Sequence, residues 1–121
     1  MVKKIKILHV DDSQAVVMYT KKMLTGILSI EMIESAGTIS EAKNHMNSKE
    51  VNIAILDINL PDGNGLSLLR WIKECYPDVL IIMLTSDLSA FYREYVKKLG
   101  VDYCLDKSME FEEIIRIIEN Q

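Results

Sequence analysis

The sequence predicts a doubly wound α/β domain, a five-stranded parallel sheet with helices on both faces, from three observations. Short apolar runs alternate with longer stretches of helical period along the whole chain. Two of those runs, NIAILD (52–57) and VLIIML (79–84), are oily nearly throughout, as strands covered on both faces are. No linker, repeat or low-complexity stretch divides the 121 residues, so residues 1–121 read as one domain, large enough to bury a core unaided.

Each element follows in order. IKILHV (5–10) is the first strand. Over residues 13–28 a helix is expected, with Val16, Val17, Met23, Leu24, Ile27 and Leu28 near one stripe. IEMIES (30–35) is a second strand, polar enough for an edge, and a short polar helix follows at 40–48. NIAILD is the third strand; PDGNG turns the chain and LSLLRWIKE continues as a third helix. VLIIML is the fourth strand, with a helix over 88–99 that Gly100 stops. VDYCL (101–105) is the fifth, and 109–119 form a last helix with Phe111, Ile114, Ile115 and Ile118 inward. Successive βα units imply parallel strands joined by right-handed crossovers.

Composition narrows the function classes. A net charge of −4 argues against binding nucleic acid, which calls for a basic face. No apolar run approaches the ~18 residues of a membrane span, and no signal peptide precedes the first strand. Cys75 and Cys104 have no metal-ligand spacing and read as free thiols. The expectation is a cytoplasmic protein with neither nucleic acid nor membrane as partner.

In sheets of this kind function gathers beyond the carboxyl ends of the strands. Strand one ends in Asp11–Asp12, strand three in Asp57, strand four in Thr85–Ser86 and strand five in Asp106–Lys107; the end of strand two, Glu34–Ser35–Ala36, offers nothing comparable. Singly, each has a plain explanation: Asp12 or Ser13 capping a helix, Thr85 closing a turn, Lys107 solvated. Together they do not. Carboxylates converging on one crevice repel each other and lose solvation, and one lysine balances only one of them. A divalent cation supplies the missing charge, and an all-oxygen ligand set favours magnesium. Metal, lysine, hydroxyl and a free carboxylate are the parts of a phosphoryl-transfer site in which the carboxylate can be the nucleophile.

These residues resemble the receiver domains of two-component response regulators, over nearly the whole chain from Lys4 to about Ile118. HVDDSQ is similar to that family's paired acids, LDINLPDGNG to its phosphoacceptor segment with Asp57, Pro61 and Gly65, LTS to its strand-four hydroxyl, and the lysine of YCLDKS to its lysine after strand five. The resemblance implies the flavodoxin-like strand order 2-1-3-4-5. It implies that Asp57 accepts phosphoryl from a phosphohistidine on a sensor histidine kinase or histidine phosphotransfer protein. Asp11, Asp12, Asp57 and the backbone carbonyl of Asn59 would hold Mg2+, and Thr85 and Lys107 would contact the phosphoryl group. Such a protein is no enzyme beyond its own phosphorylation and dephosphorylation. It signals to a downstream target as a monomer or a weak phosphorylation-dependent dimer.

Two positions depart from the family pattern. Ser108 stands where a proline usually follows the lysine, and Cys104 where the switch aromatic lies; Tyr103 is its neighbour, but strand alternation sends it to the other face. Helix 88–99 carries Leu88, Phe91, Tyr92, Tyr95, Val96 and Leu99, a stripe wider than one buried face requires. Phe91, Tyr92 and Tyr95, with Tyr103 and Cys104, are the candidate partner surface. His9 and His45 lack a second ligand, and GNG opens no dinucleotide motif.

With no output domain after residue 121, the reading is a stand-alone receiver similar to the chemotaxis type, the alternative being a receiver cut from a longer regulator. A magnesium-dependent aspartyl-phosphate hydrolase would show a DxD pair, where this chain has Asp57–Ile58–Asn59, and a cap insertion. A flavodoxin-type module would need a glycine- and hydroxyl-rich loop where this chain has two acids.

Overall fold

The computed structural model describes residues 4–86 and 90–121, with side chains described for all of these except 90–92. The expected strands and helices all appear: β1 (Ile5–Val10), α1 (Gln14–Leu24), β2 (Ile30–Ala36), α2 (Ile39–Ser48), β3 (Ile53–Leu56), then α3 (Gly65–Cys75), β6 (Leu80–Thr85), α4 (Ala90–Lys98), β7 (Tyr103–Asp106) and α5 (Glu113–Glu119). A two-residue hairpin, β4 (Asn59–Leu60) with β5 (Gly63–Asn64), was not foreseen and lies between β3 and α3. The five main strands pair in parallel in the order β2-β1-β3-β6-β7, which is the order 2-1-3-4-5 when the hairpin is left out. The polar β2 is indeed an edge.

Strand alternation sorts the core into two layers. Leu8, Val10, Ala54, Leu56, Ile81 and Met83 point to one face, where α2, α3 and α4 cover them through Met46, Leu69, Ile72 and Val96. Ile7, Ile53, Ile55, Ile82 and Leu84 point to the other, under Leu24 of α1 and Ile114, Ile117 and Ile118 of α5. Both faces being covered explains why β3 is apolar at every position.

Two helices are shorter than their periodicity suggests. The first, expected over 13–28, ends at Leu24: Thr25 donates both its N–H and its hydroxyl to the Lys21 carbonyl, and Gly26 turns the chain at φ +98°. Leu28 is consequently 85% exposed instead of joining the stripe. The last, expected over 109–119, is regular only from Glu113. Before it, Glu113, Ile114 and Ile115 bond three residues back, to Glu110, Phe111 and Glu112, in tight turns. Phe111 and Ile115 are only partly buried, and Ile117 takes the core place beside Ile114 and Ile118. Gly100 does stop α4, at φ +92°, its N–H donating to Lys97. Leu88 lies outside the described residues, and Phe91 and Tyr92 outside the described side chains.

Candidate functional site

The backbone places the site before any side chain does. At the end of its strand, Asp11 donates its N–H to Ala36, Asp57 to Val10 and Lys107 to Thr85, each at 3.0 Å. Three chemistry-bearing residues are thus pinned to neighbouring strands. Their Cα positions follow the sheet, which holds a site more precisely than loops do.

The side chains then converge. Lys107 Nζ lies 2.6 Å from Asp11 Oδ2 and 2.9 Å from Asp57 Oδ2. One oxygen each from Asp11, Asp12 and Asp57 fall within 4.8 Å of one another, with Asp11 and Asp57 buried and Asp12 exposed. Asp57 Oδ1 accepts the Ile58 N–H at 2.7 Å, and Asp11 Oδ1 that of Ser13 at 2.9 Å. Ser13 itself caps α1 by accepting from Val16, so its plain reading holds.

Charge remains unbalanced. Three carboxylates against one lysine leave two negative charges at one end of the sheet, and a divalent cation would cancel both. The donor set fits a hard cation, because it is all oxygen and because the buried Asp11 Oδ2 shares its one close cation among the described residues, Lys107, with Asp57. Burial alone would lower the Lys107 pKa; the hydrogen bonds and charges of Asp11 and Asp57 outweigh it and hold that pKa above its ordinary value. Thr85 is fully buried at the end of β6, beside Lys107 through their backbone bond. Asn59 opens the hairpin with its side chain exposed.

The loop after Asp57 is shaped by close approach. Gly65 donates its N–H to Ile58 at 2.6 Å, and a Cβ there would fall 1.9 Å from the Asp57 carbonyl oxygen. Asn64 caps α3, accepting from Leu66. Asp62, which sequence reasoning passed over, reaches across to accept the first two N–H groups of α2, from Ile39 at 2.8 Å and Ser40 at 3.0 Å. Thr38 accepts the third, from Glu41, so three of the four N–H groups at the helix start have side-chain acceptors. The Ile39 bond, then that of Ser40, holds the Asp62 pKa below the usual carboxylate range. At strand two's end Glu34 is engaged elsewhere, pairing with Lys49 at 2.9 Å and with His45, while Ser35 and Ala36 line a pocket beside Asp11 and Asp12.

The two departures now have structural answers. At Ser108, the bend is set by Asp106, whose Oδ1 accepts from the Ser108 N–H (2.8 Å), the Ser108 hydroxyl (2.6 Å) and the Met109 N–H (3.2 Å). Asp106 is therefore a turn residue and no part of the acid cluster. Cys104 is buried against the α2–α3–α4 layer, and Tyr103 is exposed on the opposite face, as alternation requires. Over Cys104 runs a polar bridge that the sequence did not disclose. Arg93 donates to the Cys104 carbonyl at 3.3 Å and to Glu110 at 2.6 Å, and Glu110 accepts the Asp106 N–H. Tyr95 is exposed and its hydroxyl accepts from Arg70.

Residues 7–119 match the response regulator receiver domain family. The chain belongs to that family. Receivers with the same fold include the HemR receiver domain from Leptospira biflexa, not phosphorylated in that structure, at 29% identity and TM-score 0.83, covering 96% of this chain and 92% of that one. A receiver domain protein described as CheY-like, from Methanospirillum hungatei, is 28% identical at TM-score 0.85, with 98% and 93% covered. Among curated relatives, the DNA-binding transcriptional regulator NtrC of Proteus hauseri is 34% identical over 114 residues, which are 91% of this chain and 23% of that protein. The transcriptional regulatory protein GltR of Pseudomonas aeruginosa is 32% identical over 120 residues, 93% of this chain and 47% of that protein. This receiver thus spans between about a quarter and a half of those relatives.

Proposed function

We propose that this receiver accepts a phosphoryl group on Asp57 from a phosphohistidine of a sensor histidine kinase or histidine phosphotransfer protein. Asp11, Asp12 and Asp57 would hold Mg2+, with the Asn59 backbone carbonyl as a further oxygen. The observation that carries the reading is the bridge of Lys107 between Asp11 and Asp57. A carboxylate oxygen of Asp57 forms the new P–O bond while the P–N bond breaks, its electron pair staying on the donor imidazole. Lys107, already beside Asp57 Oδ2, follows the negative charge onto the phosphoryl oxygens, and the Thr85 hydroxyl donates to one of them. When bound, the metal neutralises charge on those same oxygens. The group stays on the chain, so this is phosphorylation of the protein itself and no turnover of a substrate.

The surroundings suit a protein donor. A groove of about 660 Å³ beside Lys107 is lined by Val16, Tyr19, Met109 and Phe111, and Met109 is 83% exposed at its rim. Apolar side chains left in water around a polar centre fit a partner surface. Tyr95, Tyr103 and the bridge over Cys104 lie on the side where α4, β7 and α5 meet, which we assign to the downstream target. The test is incubation with a small acyl phosphate and Mg2+: one phosphoryl mass is expected, lost on chelation and in Asp57→Ala. Full labelling of that variant overturns the assignment.

Whether the receiver acts alone or inside a longer regulator divides the proposal. No helix among the described residues is long and apolar enough to cross a membrane, which suits a cytoplasmic signalling module. The stand-alone reading expects a natural product of 13.8 kDa, monomeric or weakly dimeric when phosphorylated. The lengths of the relatives favour the second reading, in which any DNA contact belongs to another domain and not to this acidic one. An immunoblot of the source cells separates the two by size.

A further inference from the structure

His9 stands in a place built for an aliphatic side chain. It faces the same layer as Ile7 between Ile55 of β3 and Ser35 of β2, and it is 1% exposed. Its Nδ1 is buried with no hydrogen-bond partner among the described residues. A buried polar ring on a strand otherwise made of Ile, Leu and Val costs stability and calls for a reason. Asp11 is a polar group close to it: His9 Nε2 lies 4.0 Å from Asp11 Oδ2.

The two ring nitrogens are not equivalent here: Nε2 faces a carboxylate oxygen, and Nδ1 has no partner among the described residues. Were the proton on Nδ1, a buried donor would be orphaned and the Nε2 lone pair would face the lone pairs of a carboxylate. With the proton on Nε2, the N–H faces Asp11 and the orphan is only an acceptor, the cheaper of the two. Asp11 Oδ2 is at present held by Lys107 at 2.6 Å. In the proposed reaction Lys107 turns toward the phosphoryl group, and Asp11 then loses that partner while it must keep its aim at the metal.

We propose that His9 is a positioning residue for Asp11: its Nε2–H closes the short gap to Oδ2 when Lys107 leaves, and fixes the carboxylate from the interior side. The role parallels the outer hydrogen bonds that orient metal-ligating groups elsewhere. It rests on the reading of Asp11 as a metal ligand.

Two measurements test it. Long-range proton–nitrogen correlation of the imidazole in the parent protein, without metal, should find Nε2 protonated; an Nδ1–H tautomer with Nε2 bare overturns the proposal. Titration with Mg2+ followed by thermal melting should find affinity lowered about tenfold in His9→Leu and largely restored in His9→Gln, whose amide can donate from a similar place. The metal-free melt of His9→Leu should be no lower than that of the parent, since a buried polar group has gone. A parent that responds to Mg2+ and a His9→Leu variant that responds equally overturn the role of His9 alone. A parent indifferent to Mg2+ overturns the metal reading of the crevice and this inference with it.

Discussion

A Cβ on Gly65 would stand 1.9 Å from the backbone oxygen of Asp57, and 2.9 Å from its carbonyl carbon. Both obstacles are main chain, so neither can swing aside. The spacing from Asp57 to Gly65 is therefore a steric requirement: the hairpin returns so tightly that only a hydrogen fits. Gly65→Ala is expected to cost about 3 kcal/mol, as overpacking of this severity does, read as a lowered urea midpoint. The displaced Asp57 should also slow phosphorylation. A variant as stable as the parent contradicts the close approach.

Metal binding should stabilise the fold, because the ion binds the assembled acids and relieves their mutual repulsion. At a hundredfold excess over Kd the gain is about 2.7 kcal/mol, visible as a rise in Tm. Asp12→Asn should raise the metal-free Tm slightly and shrink the response to Mg2+. Coincident melts for the parent with and without Mg2+ contradict the ion site.

Acid should loosen two ties that lie away from the crevice. The hydrogen bond from Arg93 first, with its charge, holds the Glu110 pKa below the ordinary range, and the Ile39 and Ser40 N–H groups do the same for Asp62. Both groups bind protons more weakly in the folded chain. Their contribution is present above the unfolded values of 4.5 and 3.8 and is lost as pH falls through the lower folded ones. Urea midpoints should therefore fall with pH below about 4.5, and less steeply in Asp62→Asn and Glu110→Gln. Parallel curves for parent and variants contradict these ties.

Cys104 should weaken the report of phosphorylation along β7. In the family's usual scheme an aromatic turns inward as the strand-four hydroxyl moves; a thiol is too small to fill that space, and coupling is a difference in contact energy between two states. Amide shifts on phosphorylation are expected to be small at 101–107 and larger along α4, whose Arg93 spans the two. Large changes at 101–107 with α4 unmoved contradict this, as does a Cys104→Tyr variant with no stronger response.

How much of this was legible in the sequence depended on range. The strands, the two-layer core and the crevice residues were readable because apolar runs and strand-end acids are local signals; the strand order came only with the family resemblance. The helix ends were not: Leu28 continues a periodic stripe that Gly26 has already broken, and Asp106 bonds Ser108 and Met109 where periodicity alone extends α5 backward. Asp62 and the Arg93–Glu110 bridge act across 22 or 23 and 17 residues, a distance at which spacing carries no signal. His9 was seen and set aside for want of a second metal ligand. The overlooked clue was a polar residue on an apolar strand two positions before Asp11, on the same face.

Whether Asp57 itself carries the phosphoryl group is the most direct question. After reaction with a small acyl phosphate and Mg2+, borohydride reduction converts an aspartyl phosphate to homoserine, which tandem mass spectrometry locates by residue. The account predicts homoserine at position 57, absent without Mg2+ and absent when Lys107 is replaced by alanine. Homoserine at Asp11, Asp12 or any other aspartate, with Asp57 intact, would contradict it.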